Sequence, residues 1–437
     1  MKIAIFTDTF LPQINGVVTA TIMLATEMTR RGHEVHVLAP EYKEYTGDAS
    51  LPFPVQRFRA FPAFFYEDFK WAMGPNPAIL AYILQHKFHV IHFQTPMALG
   101  FQAILIGKLL KKPVVGTFHT FFADPDYLKH IKLDNKFVET IGWFYSNMHY
   151  NRCDLVTVPS RQTAIELKNH GCKTPISYIS NGIDLSQFDN TKADSVKKEL
   201  GLKETDISFL YVGRLAYEKN IKALIRAFTY AAKKDPRLKL LIVGGGPQEA
   251  EYKKLVQEID TTSACIFLGK IEHNDLVVSG IFGVCSYFIT LSKTENQPVT
   301  ILEAQANSLI PICLPEKGLK TMLDHKKTGY FLKSEEPAVF SDDLFQLLQD
   351  TQLQEKMRMY IHSFIKRQEI SSIAGDWERL YTDLILRKTS KNYFHFSLAR
   401  LLKPFRGSKV AEQKMLVEEQ KLNLKASDFN DFIDHTE

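Results

Sequence analysis

Cysteine is sparse in this chain and carries no pattern. Cys153, Cys172, Cys265, Cys285 and Cys313 show neither a paired framework nor metal-ligand spacing, which argues against a disulfide-stapled secreted domain and for reduced thiols in a cytosolic protein. Net charge is small as well: 54 Lys and Arg against 49 Asp and Glu leave +5 over 437 residues. With no recognition motif beside it, that balance speaks against nucleic-acid binding. Long apolar runs are missing. The longest stretch free of acids, lysine and arginine, Phe88 to Gly107, contains His89, His92, Gln94, Thr95, Pro96 and Gln102, so strand, loop and helix is a better reading than a bilayer span. Met1-Lys2 leads straight into a short strand-like run and Asp8, which is unlike a secretory signal. No G-x-S-x-G elbow and no internal repeat occur, so a serine-nucleophile triad has no support.

What is present is alternation. Short apolar runs alternate with amphipathic ones at Lys2–Phe6, Thr19–Arg31, Glu34–Ala39, His89–Phe93, Gly100–Leu110, Pro113–Thr117 and Leu155–Val158, the pattern of βα units on a parallel sheet. A second series starts near Ile207, with strands expected around Phe209, Leu241, Ile266, Phe288 and Pro311-Ile312-Cys313. The fold class is therefore α/β, with two doubly wound Rossmann-like domains facing a central cleft. The polar join falls near Asp184–Lys197. We place the boundaries at 1–185, 186–372, a helix over 373–390, and a basic segment with an acidic tail over 391–437.

The charged residues that carry chemistry follow strands. Glu295 and Glu303 bracket a run that leaves the apolar stretch Tyr287–Leu291 and enters a helix at Pro298, where strand ends and helix N-termini collect ligands. A solvated helix start with ordinary acids is the bland alternative. Arg214 and Lys219 come directly after the strand-like Phe209–Val212, and with Gly213 they suit a diphosphate. Leu240–Val243 runs into Gly244-Gly245-Gly246-Pro247, which lacks dinucleotide-fingerprint spacing and reads as an anion cradle or a tight turn.

In this order, with Asp8–Gly16, Gly116-Thr117-Phe118-His119-Thr120 and Asn181-Gly182-Ile183-Asp184, the motifs resemble glycosyltransferase family 4 over residues 1 to about 385. That resemblance implies the GT-B fold and transfer of a hexose from a nucleotide diphosphate sugar with retention of configuration. It implies an acceptor-side first domain and a nucleotide-sugar-binding second domain, with the last helix crossing back to the first. Residue by residue, it implies donor diphosphate contacts for Arg214 and Lys219, ribose for Glu303, the hexose for Glu295 and donor-facing places for Gly16 and His119. Asn15-Gly16 stands where many members have paired glycines, and Ser286 where an aspartate often precedes the strand. The run Ser292-Lys293-Thr294-Glu295-Asn296-Gln297 looks like the version in diacylglycerol glucosyltransferases. UDP-glucose is thus the expected donor, with Asn296 and Gln297 among its contacts. A membrane lipid such as diacylglycerol is the expected acceptor. Phosphatidylinositol, another glycolipid or a soluble sugar are alternatives, as are a nucleotide-sugar epimerase and a non-catalytic nucleotide-sugar-binding or scaffold protein.

No cofactor and no metal are expected, because Arg214 and Lys219 supply the charge a cation would. Asp124 and Asp126 are set aside for that reason. His86, His89 and His92 are set aside as zinc ligands because a strand sends His89 and His92 to opposite faces. For a peripheral place on the inner face of an anionic membrane the candidates are Lys108, Lys111 and Lys112, and the basic amphipathic stretch with Phe394, Arg400 and Lys403. A docked helix is the equal alternative for that stretch. The aromatic region Phe53–Trp71 divides between core and lipid interface. Oligomeric state is not legible.

Overall fold

The computed structural model describes residues 1–13, 15–62, 70–72, 76–119, 136–259 and 263–389. Residues 63–69 of the aromatic region, together with Thr120, Asp124, Asp126, Phe394, Arg400 and Lys403 named above, lie outside the described residues. Residues 1–388 form one compact unit that contains two sheets.

The first sheet runs β3-β2-β1-β6-β7-β8-β9, all parallel, from β1 (Lys2–Phe6), β2 (Glu34–Pro40), β3 (Val55–Phe58), β6 (Val90–Phe93), β7 (Val114–Thr117), β8 (Leu155–Val158) and β9 (Ile176–Tyr178). A small antiparallel ribbon, β4 (Phe61–Pro62) with β5 (Lys70–Trp71), stands apart. The second sheet runs β12-β11-β10-β13-β14-β15, from β10 (Ile207–Val212), β11 (Leu238–Val243), β12 (Cys265–Gly269), β13 (Tyr287–Thr290), β14 (Ile310–Cys313) and β15 (Tyr330–Phe331), again parallel. The central strands are apolar throughout because helices cover both faces; Ile3, Ala4, Ile5 and Phe6 are fully buried. In both sheets strand order reverses beside the first strand, between β1 and β6 and between β10 and β13. Loops diverge at such switch points and leave a crevice at the strands' C-terminal edge.

Helices α1 (Gly16–Arg30), α2 (Pro77–His86) and α3 (Ala98–Leu109) flank the first sheet. Asn15 caps α1 by accepting from the Val17 and Val18 amides at 3.0 and 3.1 Å, which satisfies two otherwise orphan donors. The strands β3, β9 and β15 and the helix Ala193–Glu199 inside the polar join were not anticipated. Glu295 does not end a strand either; it sits in a connection between Thr290 and the helix Val299–Ala306. Of the aromatic region, Phe53 and Phe58 are core while Phe61 is exposed.

The last helix, Ile370–Thr389, packs on the first sheet. Trp377 lies 4.8 Å from the His92 ring, and the Tyr381 hydroxyl is 2.7 Å from His92 Nδ1. Glu378 pairs with Arg31 at 2.7 Å, and Lys388 pairs with Asp154. Backbone bonds of 2.8 Å from Ile183 N to Gln368 O and from Ile370 N to Ile183 O fix where that helix begins. Gly182 there has φ +77 and lies against Ile370, so a Cβ would be both strained and crowded.

Candidate functional site

The switch point of the second sheet gathers the sequence-predicted charges. Behind them the two glycine segments pack backbone on backbone. A Cβ on Gly244 would lie 1.9 Å from Gly213 O, and one on Gly246 would lie 2.4 Å from Leu215 O. Amide bonds of 3.0 Å from Gly213 to Val243 O and from Leu215 to Gly245 O lock the pair. The glycines thus serve close approach of two loops, and that approach fixes the turn presenting exposed Arg214. Lys219 follows in a short turn, and its Nζ lies 2.6 Å from Glu295 Oε1. The two were read as serving different parts of a ligand. Here they neutralise each other in a partly buried pair.

Between Glu295 and Glu303 the chain is tied to the first domain. Asn296 Oδ1 accepts from Ser160 Oγ at 2.8 Å and from Thr163 Oγ1, while its Nδ2 donates to Phe118 O at 3.0 Å and His119 O at 3.2 Å. That uses the full capacity of the amide. Gln297 Oε1 accepts from the Asn181 amide at 2.7 Å and its Nε2 donates to Ser180 Oγ at 2.9 Å. Expected at the donor, both side chains are instead buried in a clasp between the domains. Gly318 completes it from behind: its amide donates to Glu295 O at 3.0 Å, and a Cβ would meet Asn296 O.

Glu303 is 2% exposed. His273 Nε2 lies 2.7 Å from its Oε1, whereas Oε2 is buried with no hydrogen-bond partner among the described residues. Burial alone would lower the His273 pKa, but the carboxylate outweighs it and the ring stands above its ordinary value. An oxygen left unbonded in a buried carboxylate is costly, and a hydroxyl donor would relieve it. His273 opens a short helix after β12. Its place just beyond a strand end was the available signal, and sequence reading missed it.

From the first domain come Gly16 and His119. Gly16 is the exposed first residue of α1, with open space where a Cβ would project. His119 follows β7, and its Nε2 lies 2.6 Å from Gln94 Oε1. Since that oxygen only accepts, Nε2 carries the proton and Nδ1 keeps its lone pair. Burial pulls its pKa down to about 4, so the ring is neutral near pH 7. Gln94 also reaches the buried His92, which bonds Thr117 Oγ1 at 2.6 Å and the last helix through Tyr381. Asp8 is buried too and caps α3 through the Leu99 amide at 2.9 Å and Thr95 Oγ1 at 3.0 Å; burial raises its carboxyl to about 6.

Lys108 and Lys111 are exposed and Lys112 is half-buried at the end of α3. His89 and His92 diverge as expected: His89 Nδ1 accepts from the Lys2 amide at 2.9 Å, far from the buried His92 network.

Two parallel α/β domains with charged and glycine-bearing loops at facing switch points define a GT-B glycosyltransferase architecture. The Glycosyltransferase Family 4 profile matches residues 14–187, and the Glycosyl transferases group 1 profile matches residues 192–363. The chain belongs to the glycosyltransferases built from these two domains. It is 28% identical over 334 residues to an alpha-monoglucosyldiacylglycerol synthase of Streptococcus pneumoniae, covering 75% of this chain and 74% of that protein. It is 25% identical over 415 residues to the Acholeplasma laidlawii protein of the same name, covering 90% and 99%. Among solved structures, Anabaena HepE in complex with UDP superimposes with a TM-score of 0.70 at 16% identity, covering 88% of this chain and 100% of that one.

Proposed function

We propose that this protein moves glucose from UDP-glucose to a diacylglycerol-type lipid, with retention at the anomeric carbon and without a metal ion. The observation that carries the reading is the meeting of Lys219–Glu295 and the half-bonded Glu303 at one switch point, with neutral His119 attached to the same loop through Asn296. In this reading Glu303 Oε2 takes a ribose hydroxyl. Arg214 and Lys219 meet the diphosphate, so Lys219 exchanges a carboxylate for a phosphate partner and releases Glu295 to the hexose hydroxyls. Gly16 leaves room for the donor at the start of α1. Asn296 and Gln297 hold the domains together around it, excluding water that would hydrolyse the sugar. As the glycosidic bond breaks, negative charge grows on the diphosphate, where the two cations stabilise it. Among the described residues no carboxylate is placed as an unambiguous nucleophile, which agrees with same-face attack by the acceptor hydroxyl, its proton passing to the departing phosphate.

The acceptor reading draws on the names of the two lipid synthases above and on an exposed surface of the first domain. Phe101, Leu105 and Leu109 on α3 are 44, 46 and 63% exposed, and Phe137, Ile141 and Phe144 on the helix Lys136–Tyr150 are 72, 48 and 62% exposed. Both triplets follow helical spacing. Phe101 meets His149 edge-on at 6.2 Å, which brings the helices side by side. Lys108, Lys111 and Lys112 border this apolar surface, a combination suited to the inner, anionic face of a membrane on which the protein lies peripherally. No helix among the described residues is long and apolar enough to cross one.

The test is incubation of the full chain with a panel of nucleotide sugars and mixed lipid vesicles containing diacylglycerol, with and without EDTA, and identification of products by mass. A monohexosyl diacylglycerol formed equally in EDTA is the expected result. Transfer only to a soluble sugar, conversion of the donor without transfer, or turnover restored only by magnesium or manganese would overturn the corresponding part.

A further inference from the structure

Away from the cleft, at the N-terminal ends of the first sheet's strands, three side chains of metal-binding type converge. Glu34 and His36 lie on β2 and His86 ends α2. Glu34 Oε1 is 3.5 Å from His36 Nε2 and 4.0 Å from His86 Nδ1, and one ligand atom from each residue falls within 4.8 Å of the other two. We infer that Glu34, His36 and His86 form a site for a divalent transition-metal ion of the zinc class.

Tetrahedral zinc with bonds of roughly 2.0–2.1 Å asks for ligand separations of about 3.4 Å. One pair is already close to that and another exceeds it by about half an ångström, a gap that a turn of the partly exposed His86 side chain closes. The orientation of the other groups is the stronger argument. His36 is 5% exposed, and its Nδ1 lies 2.6 Å from the Tyr82 hydroxyl, the outer bond that fixes a ligating imidazole and turns its other nitrogen inward. Lys2 Nζ holds Glu34 Oε2 at 2.8 Å, so the carboxylate would offer only Oε1. The rings of Tyr82 and Phe88 pack against His36 with centroids 5.7 and 5.0 Å away, an apolar wall that limits solvent on that side. Glutamate with two imidazoles favours zinc or cobalt over magnesium or calcium, which prefer oxygen ligands. The ion would staple the end of α2 to β2 on the side of the sheet opposite the cleft, a structural role independent of the transfer chemistry.

The experiment uses the full chain, stripped of metal by chelator and dialysis, and titrates zinc and cobalt chloride into wild type, Glu34→Gln and His86→Ala. These substitutions leave the packed His36 ring in place, and their unfolding temperatures without metal verify that each variant is folded. Wild type should take up one more equivalent of cobalt than either variant, with the intense visible absorption of a low-coordinate ion, and zinc should raise its Tm but not theirs. Equal stoichiometry and equal Tm shifts in all three proteins would overturn the site, as would cobalt bound to wild type only with the weak absorption of an octahedral aqua ion. Should a variant prove unfolded, competition in wild type decides instead. Loss of the extra equivalent between pH 7.5 and pH 5 supports imidazole ligation, and uptake unchanged over that range overturns it.

Discussion

Glu303 bonds His273 through one oxygen and leaves its other buried oxygen without a hydrogen-bond partner among the described residues, while Lys219 faces Glu295 in an ion pair, so a ligand hydroxyl can join the first and a phosphate can compete for the second. Replacing either by alanine removes a charged hydrogen bond, worth on the order of 1.5–3 kcal/mol, or about tenfold to over a hundredfold in affinity. Calorimetric titration with UDP-glucose should show that loss in both variants, and an unchanged isotherm in both would remove them from the donor site. The buried histidines set a pH dependence. His92 and His119 have pKa values near 3 and 4 against an ordinary 6.5. The unfolded chain therefore binds more protons than the native one between those values, and their contribution to stability is lost as pH falls from about 6.5 toward 3. Asp8, raised from 3.8 to about 6, works the other way, since the native state holds its proton longer and stability falls as pH rises through that window. Two groups oppose one, so urea midpoints should drop on acidification below 6.5, and His119→Gln should make the drop shallower. The charged residues were legible because each follows an apolar run that had to be a strand. The clasp was not, because the partners of Asn296, at Ser160 and Phe118, are 136 and 178 residues away, and no local pattern records such a distance.

At the scale of elements, the loops after β10 and β11 behave as one piece. Gly244 has φ +144 besides its contact with Gly213 O, so Gly244→Ala combines backbone strain with overpacking that costs typically about 1–3 kcal/mol. A lower thermal midpoint together with weaker nucleotide binding is expected, because Arg214 rides on the displaced turn. A variant as stable as wild type would contradict the backbone packing described above. The central strands were readable from composition, since burial on both faces demands continuous apolar runs. The edge strands β3 and β9 were not: Val55, Gln56, Arg57, Ile176 and Ser177 are only half-buried and Tyr178 is exposed, so the sequence there lacks the apolar density that marks a strand. The glycine run was legible as a tight passage, but only the fold identifies another backbone, rather than a ligand alone, as what comes close.

For the molecule as a whole, the clasp and the apolar surface carry separate predictions. Asn296→Ala leaves Ser160, Thr163 and two backbone carbonyls short of partners across the domain boundary. Turnover should fall more than donor affinity, with a larger radius of gyration in scattering; a loss of affinity with no change in shape would place Asn296 on the donor instead. Leu105→Ser with Phe144→Ser replaces two exposed apolar side chains without touching the core. Vesicle flotation should show weaker binding to anionic lipid while UDP-glucose affinity stays, and rising salt should weaken wild type further. Binding indifferent to the substitutions, the lipid charge and the salt would reject this surface as the membrane face.

The return of the last helix to the first sheet has a consequence for how the protein is made. His92 waits for Tyr381, which lies 289 positions later, and Arg31 for Glu378, 347 positions later. On a ribosome the first sheet is therefore synthesised long before the surface that covers it. Trp377 and Tyr381 complete a core begun by Ile3 and Ile5, so the amino-terminal half emerges with an open apolar flank through the entire synthesis of the second domain. Such a flank is where nascent chains recruit chaperones or stick to one another. Truncation just before Ile370 should yield insoluble material even though both sheets are present, and supplying the helix in trans as a peptide should recover part of it.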